Sequence, residues 1–285
     1  MNRLFFPLSF LLAVVGAALG LRLGVAPSAI PTIVTIAALV VVIAAEALAP
    51  RVQRAAEAGE VHADVGFATV TAIVDSLAQA ALAAVVVATA AVLPQDMLSE
   101  ISLWLGVPLA LLVSGLGDYW AHRWSHEWSW WWKLHAVHHA PHRMVALNNF
   151  RLHPLDLVLK LIATMGPLLL LGFSLEVLAM VGAIRGLTVA FQHANLDLRH
   201  GALNYLIATN SVHRWHHSAE IVEGNANYGG ILIVYDLLFR SYRVPSEELE
   251  PARMGLYKEE HYPVHRVLRS TVAPLCWRGC VETEG

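Results

Sequence analysis

Apolar residues in this chain fall into long, nearly unbroken runs rather than the alternating or three-to-four spacing of half-buried elements. Four runs, at 5–21, 30–49, 67–93 and 101–117, come first, and a fifth block at 155–192 is interrupted at Gly172-Phe173-Ser174. Each of the first four is close to the roughly 20 residues a helix needs to cross about 30 Å of hydrocarbon. Helix is the default at that depth, because lipid cannot satisfy exposed backbone N–H and C=O groups. The fifth block is long enough for a helical hairpin, whether it spans the membrane or only enters it. The pattern therefore predicts an all-α integral membrane protein. Arg3 ahead of the first run allows a signal peptide, but the small residues run straight into Leu21-Arg22-Leu23 without a clean cleavage site. A retained helix is expected.

Composition agrees. The chain is 56% hydrophobic and 14% charged, with a mean hydropathy of +0.54, whereas soluble domains carry about 25% charged residues. A net charge of −3 gives no reason to expect nucleic acid as a partner. The two cysteines, Cys276 and Cys280, are too few for a disulfide framework or an iron–sulfur cluster, which takes about four ligands. Gly115-Leu116-Gly117 lacks the third glycine and the preceding strand of a dinucleotide loop.

Charge asymmetry orients the runs. Arg51 and Arg54 lie between the second and third, whereas the next loop carries Asp96 and Glu100 and no basic residue. The positive-inside rule then puts the first of these loops, and everything just after the fourth run, in the cytoplasm. Arg22, in the first loop, is a single dissenting charge. The expected organisation is a transmembrane anchor over 1–117, a histidine-bearing region over 118–245 that includes the membrane hairpin 155–192, and a polar cytoplasmic tail over 246–285. Asp75 and Arg185 lie inside apolar blocks, where an ionised group needs a partner.

The chemistry lies in the histidines. The chain reads His122-x-x-x-His126, His135-x-x-His138-His139, His193 and His213-x-x-His216-His217. At this composition HxxHH should arise by chance roughly 0.04 times, and it occurs twice. On a helix, i and i+4 lie about 40° apart and i+3 about 60° to the other side. HxxxH thus presents two imidazoles on one face and HxxHH three within about 100°. Three such elements, with His193 closing the apolar hairpin at the same level, form a helical metal-binding cap of nine candidate ligands. Imidazole suits iron, zinc and copper. Arg123 stands where a zinc-protease HExxH motif needs glutamate. His142 is out of helical phase behind Pro141, His62 and the pair His261 and His265 read as surface residues, and His200 reads as a helix end.

From about residue 114 to 243 the chain resembles the fatty acid hydroxylase and sterol desaturase superfamily of membrane di-iron oxygenases. The resemblance rests on Asp118-Tyr119-Trp120-x-His122, His126, His135-x-x-His138-His139 and Arg151-x-His153-Pro154. It continues through Phe191-Gln192-His193-Ala194-Asn195, His213-Arg214-Trp215-His216-His217, Asn227-Tyr228-Gly229 and Asp236-x-x-Phe239. Tyr235, Arg240-Ser241 and Asn210 depart from the usual tryptophan, Gly-Thr and proline, which touches subfamily and substrate more than chemistry.

The resemblance implies two iron ions held by the nine histidines, although purified material can carry zinc. It also implies dioxygen as cosubstrate and a lipid-like substrate that is hydroxylated. A desaturase or an ether-lipid monooxygenase is the alternative on the same scaffold. With no flavin, nicotinamide or iron–sulfur motif in the chain, electrons would come from a ferredoxin or a cytochrome b5-like carrier. His153 is expected behind the ligands or facing substrate. Asp118, one turn before His122, is expected to accept a ligand's ring N–H or to be a plain interfacial carboxylate. Trp120, Trp124, Trp128 and Trp130–Trp132 are expected in an aromatic belt, one or two of them walling a substrate path. A non-catalytic membrane metal-binding protein is the alternative from another class; a metal transporter would place ligands deep within several spans, which are almost free of histidine here.

Overall fold

A computed structural model describes residues 3–53, 55–89, 96–244, 251–257 and 261–277. Among them the fold is helical, with only two isolated bridges, Ile207–Leu232 and Ser218–Met254. The first three runs become α1 (Phe5–Arg22), α2 (Ile30–Leu48) and α3 (Glu60–Thr89). The fourth becomes α4 (Leu103–Glu127), which continues unbroken beyond residue 117 to carry His122 and His126 at its far end. The helix α3 begins seven residues before the apolar run does, and the end expected for it at residue 93 lies outside the described residues.

After α4 the chain turns at Trp128 into α5 (Ser129–His139), which carries the first HxxHH. The fifth block is the expected hairpin, α6 (Pro154–Leu170) and α7 (Leu175–Gln192), turning at Gly172 with φ 72°, a conformation suited to glycine. Local chemistry starts these helices where they start. Pro154 at the first position of α6 gives up no needed N–H, and Ser174 caps α7 by accepting from the Val177 N–H. Thr209 does the same for α8 (Asn210–His216), which carries the second HxxHH.

Among the described residues five helices, α1–α4 and α7, are long and apolar enough to cross a membrane. Of these α7 is central, with 61% of its residues buried against 6–33% in the others. It packs against α1 and α2, and Phe6 of α1 meets Phe191 edge-on at 5.2 Å. The helices α4 and α6 cross so closely that a Cβ on Gly117 would lie 1.9 Å from the Ala163 carbonyl oxygen. The outer faces of α1–α3 expose aliphatic side chains such as Leu12, Val40 and Leu77, as a lipid-facing surface requires. The His-bearing ends of α4 and α7 come together with α5 and α8 at one end of the bundle. Residues 261–277 fold back over this end, burying Tyr262 and Trp277 against Ala136 and Val137 of α5 and Ala140 just beyond it.

Candidate metal centre

The nine histidines of the repeated motifs converge, and they do so as two groups. His122, His126, His135, His139 and His216 form one, and His138, His193, His213 and His217 the other, with candidate nitrogens in each group all within 4.8 Å of one another. Helical phase explains the division. In each HxxHH the outer two residues, four apart, share a face, and the middle one projects away from them. On α5 the outer pair His135 and His139 joins the first group and His138 the second. On α8 the assignment is reversed: His213 and His217 join the second group and His216 the first. Each motif thus contributes to both groups and ties them together.

Backbone and side-chain acceptors behind the rings fix which nitrogen faces inward. The Tyr228 and Ala226 carbonyl oxygens lie 2.7 Å from Nδ1 of His122 and of His216. Carbonyl oxygen only accepts, so both Nδ1 atoms carry hydrogen and both Nε2 atoms present bare lone pairs. Asn148 Oδ1, 2.8 Å from Nδ1 of His193, does the same there. Inward-facing Nε2 atoms then approach closely: His122 to His135 at 3.0 Å, His193 to His213 and to His217 at 3.1 Å, and His217 to His138 at 3.2 Å. The single lone pair on His193 cannot satisfy both neighbours, and Nε2 of His126, His139 and His216 is buried without a hydrogen-bond partner. Converging lone pairs repel in the absence of a cation. The spacing fits nitrogens that each ligate a shared ion at about 2.0–2.1 Å, so this donor set is suited to metal.

Protonation would destroy such a site, and burial opposes it. Loss of water, reinforced by the other imidazoles competing for protons and for some by Lys160 or Arg214, pushes His135, His138, His139, His193, His213 and His217 well below the usual imidazole value. Burial lowers His216 to about 4. Neutral imidazole is the ligating form.

Several residues that sequence reasoning passed over hold the rings. Asp156 Oδ2 lies 3.0 Å from Nδ1 of His135, and its Oδ1 accepts from the Trp131 indole N–H at 2.7 Å. Lys160, one turn further along α6, stands 3.2 Å from Asp156 Oδ2 and 2.8 Å from His135 Nδ1. The sequence signal was a carboxylate and an amine four residues apart inside an apolar block. Trp131 is 5% exposed and belongs to this support rather than to a surface belt, whereas Trp124, Trp128 and Trp130 are exposed as a belt would be.

The Asn227-Tyr228-Gly229 and Asp236 blocks form one device. Asp236 accepts the N–H groups of Tyr228 and Gly229 at 2.7 and 2.8 Å, and so aims the Tyr228 carbonyl at His122. Asn227, at φ 57°, is anchored to Arg243 through its side chain in both directions.

The two further candidates lie elsewhere. His153 is the N-cap of α6: its Nδ1 accepts from the Leu155 N–H and its Nε2 donates to the Thr271 carbonyl at 3.0 Å, so both nitrogens are engaged by backbone. Asp118 makes no hydrogen bond to a histidine among the described residues. The acceptor for His122 is the Tyr228 carbonyl, and Asp118 Oδ1 lies 3.5 Å from Arg185 Nη2. Arg185 therefore meets Asp118, while Asp75 accepts from Gln79 at 2.6 Å. Among the remaining histidines, His62 and His261 are exposed, His142 and His265 flank Glu57 at 3.4 and 2.8 Å, and His200 is buried against Asn210.

Residues 107–241, which contain all nine histidines, match the sequence profile described as fatty acid hydroxylase. The ornithine lipid hydroxylase OlsE of Rhizobium tropici is 36% identical over 139 residues, 49% of this chain and 42% of that protein. The chain thus matches less than half the length of this relative. No solved structure gives a significant match.

Proposed function

We propose that this chain, whose residues 107–241 belong to the fatty acid hydroxylase family, is a membrane-bound di-iron oxygenase that hydroxylates a lipid-like substrate. The observation that carries the reading is the division of nine histidines, eight buried and His126 half-buried, into groups of five and four with converging lone pairs. Two irons would be held, one by His122, His126, His135, His139 and His216 and one by His138, His193, His213 and His217. Reduced iron bound there would pass electrons to dioxygen, the oxidant, and so activate it toward an unactivated C–H bond, with the remaining reducing equivalents coming from an external donor.

The protein's own part is holding and shielding. Asp156, Asn148 and the Tyr228 and Ala226 carbonyls fix ring orientation and keep hydrogen on the outward nitrogen. Burial of α5, α8 and the covering C-terminal segment keeps bulk water away from the nitrogens. The outer helix faces are aliphatic, so an acyl or isoprenoid chain would reach the histidines from within the membrane. Basic residues near the His-bearing end favour a cytoplasmic site, within reach of a ferredoxin or cytochrome b5-like electron donor. A relative whose name records hydroxylation of ornithine lipid favours hydroxylation over desaturation and makes polar acyl lipids the first substrates to try.

The test is metal analysis of detergent-purified protein, then anaerobic reduction and exposure to labelled dioxygen with a lipid extract. Label in a lipid, abolished by His216→Ala, supports the reading. Stoichiometric metal with no oxygen consumption under any reductant favours a metal-binding protein instead.

A further inference from the structure

Ionised side chains are costly at membrane depth and mark function when they occur there. Among those within the apolar helices are Asp75 on α3, Asp118 on α4, Lys160 on α6 and Arg185 on α7. Lys160 is accounted for by Asp156 and His135, and Asp75 by a hydrogen bond from Gln79, with Arg185 within electrostatic reach. The other two are under-used. Asp118 Oδ1 stands 3.5 Å from Arg185 Nη2, longer than the about 2.7–2.9 Å of a charge-assisted hydrogen bond. No hydrogen bond to Arg185 occurs among the described residues, yet a third of its side chain is exposed, at 33%. Asp118 is 5% exposed, and its Oδ2 is buried with no hydrogen-bond partner among the described residues. Gly230 makes room for that oxygen, since a Cβ there would stand 2.0 Å from it.

The pair is also close to the candidate metal centre. Asp118 precedes His122 by one turn, about 6 Å along the helix. Arg185 interacts electrostatically with Lys160, which touches His135.

We propose that Asp118 and Arg185 bind the zwitterionic head of the lipid substrate, its anionic oxygens on Arg185 and its ammonium on Asp118. This rests on the lipid-hydroxylase reading above and names the substrate class. An anionic head would face Asp118 and Asp75, and a cationic one Arg185 and Lys160. An uncharged head leaves the spare donors and the spare acceptor unfilled. A zwitterion fills both while bringing no net charge to a low-dielectric depth. It also sets the reaction position: the C–H bonds beside the head, rather than those far along the acyl chain, lie nearest the histidines.

Four probes of equal chain length test this on the full chain in detergent: an N-acyl ornithine with free carboxylate and ammonium, its methyl ester, its N-acetyl derivative, and a plain fatty acid. Retention by metal-free protein, read by native mass spectrometry, separates head recognition from oxidation. The zwitterion should be preferred over either blocked form by about tenfold, the scale of one lost charge-assisted hydrogen bond. Arg185→Gln should abolish discrimination against the methyl ester, Asp118→Asn discrimination against the N-acetyl form, and Arg185→Lys should keep part of it. Equal retention of all four probes by the wild-type protein overturns the proposal, and that comparison needs no variant to fold. Equal oxidation of all four lipids would leave the hydroxylase reading standing and sink this one. Selective retention without oxygen incorporation would do the reverse.

Discussion

Asp156 and His135 meet at 3.0 Å with side-chain exposures of 0% and 1%, and the carboxylate is shared with the Trp131 indole and the Lys160 ammonium. A carboxylate behind a ligating imidazole fixes its tautomer and raises its basicity. Asp156→Ala should therefore lower metal affinity roughly 10–100-fold, the usual cost of losing such a partner. Competition with a chelator measures it. Full affinity in a folded Asp156→Ala protein would show that Asp156 serves Lys160 and Trp131 rather than the histidine.

Asp236 acts at longer range. It accepts from two backbone N–H groups and from Ser241 Oγ at 2.7 Å, all at 0% exposure of its own side chain. Asp236→Ala leaves the Tyr228 and Gly229 N–H groups buried and unpaired, a loss of about 2–4 kcal/mol. Because the Tyr228 carbonyl then loses its aim, metal retention should fall along with the unfolding temperature. A stability loss with undiminished metal would detach Asp236 from His122.

Acid should dismantle the centre in a definite direction. Burial depresses the imidazoles, so between the unfolded value near 6.5 and the folded one the unfolded chain binds more protons. Stability of metal-stripped protein should thus be level above about 6.5 and fall below it, with the His216 contribution lost progressively down to about 4. Protons and metal compete for the same nitrogens, so bound metal should be released over the same window. Unfolding midpoints and metal content across this range check it, and a midpoint independent of acidity would contradict the burial argument.

The helical membrane character was legible because hydrocarbon leaves the backbone one solution, and long apolar runs have no other reading. The nine histidines were legible because 3.6-residue phase is a property of spacing. The same phase contains the division between groups, since the middle histidine of each HxxHH turns away from the outer two, but which group it joins depends on how α5 and α8 face each other. What stayed hidden was the support. Asp156, Asn148 and Tyr228 reach His135, His193 and His122 from 21, 45 and 106 residues away in sequence, and no local pattern encodes such meetings. The surroundings of Asp118 were hidden for the same reason: one turn from His122 along α4, it was open to two roles, and it faces Arg185 on α7.

A last prediction concerns the link between the N-terminal helices and the histidine-bearing region. Arg151 is 0% exposed and pairs with Asp64 of α3 at 2.5 Å, while its other nitrogens donate to the Val264 carbonyl at 2.7 Å and the Glu60 carbonyl at 3.2 Å. One guanidinium thus joins α3, the segment before α6 and the C-terminal cover. Asp64→Ala leaves a buried cation without its counter-charge and should cost about 3–5 kcal/mol. Adding Arg151→Met removes the stranded charge and should recover part of that loss. It cannot recover the grip on the Val264 carbonyl, so the double variant should stay more susceptible than wild type to limited proteolysis within 251–277. A double variant with wild-type resistance would mean that the cover is held by Tyr262 and Trp277 packing alone, and that Arg151 contributes only to the α3 junction.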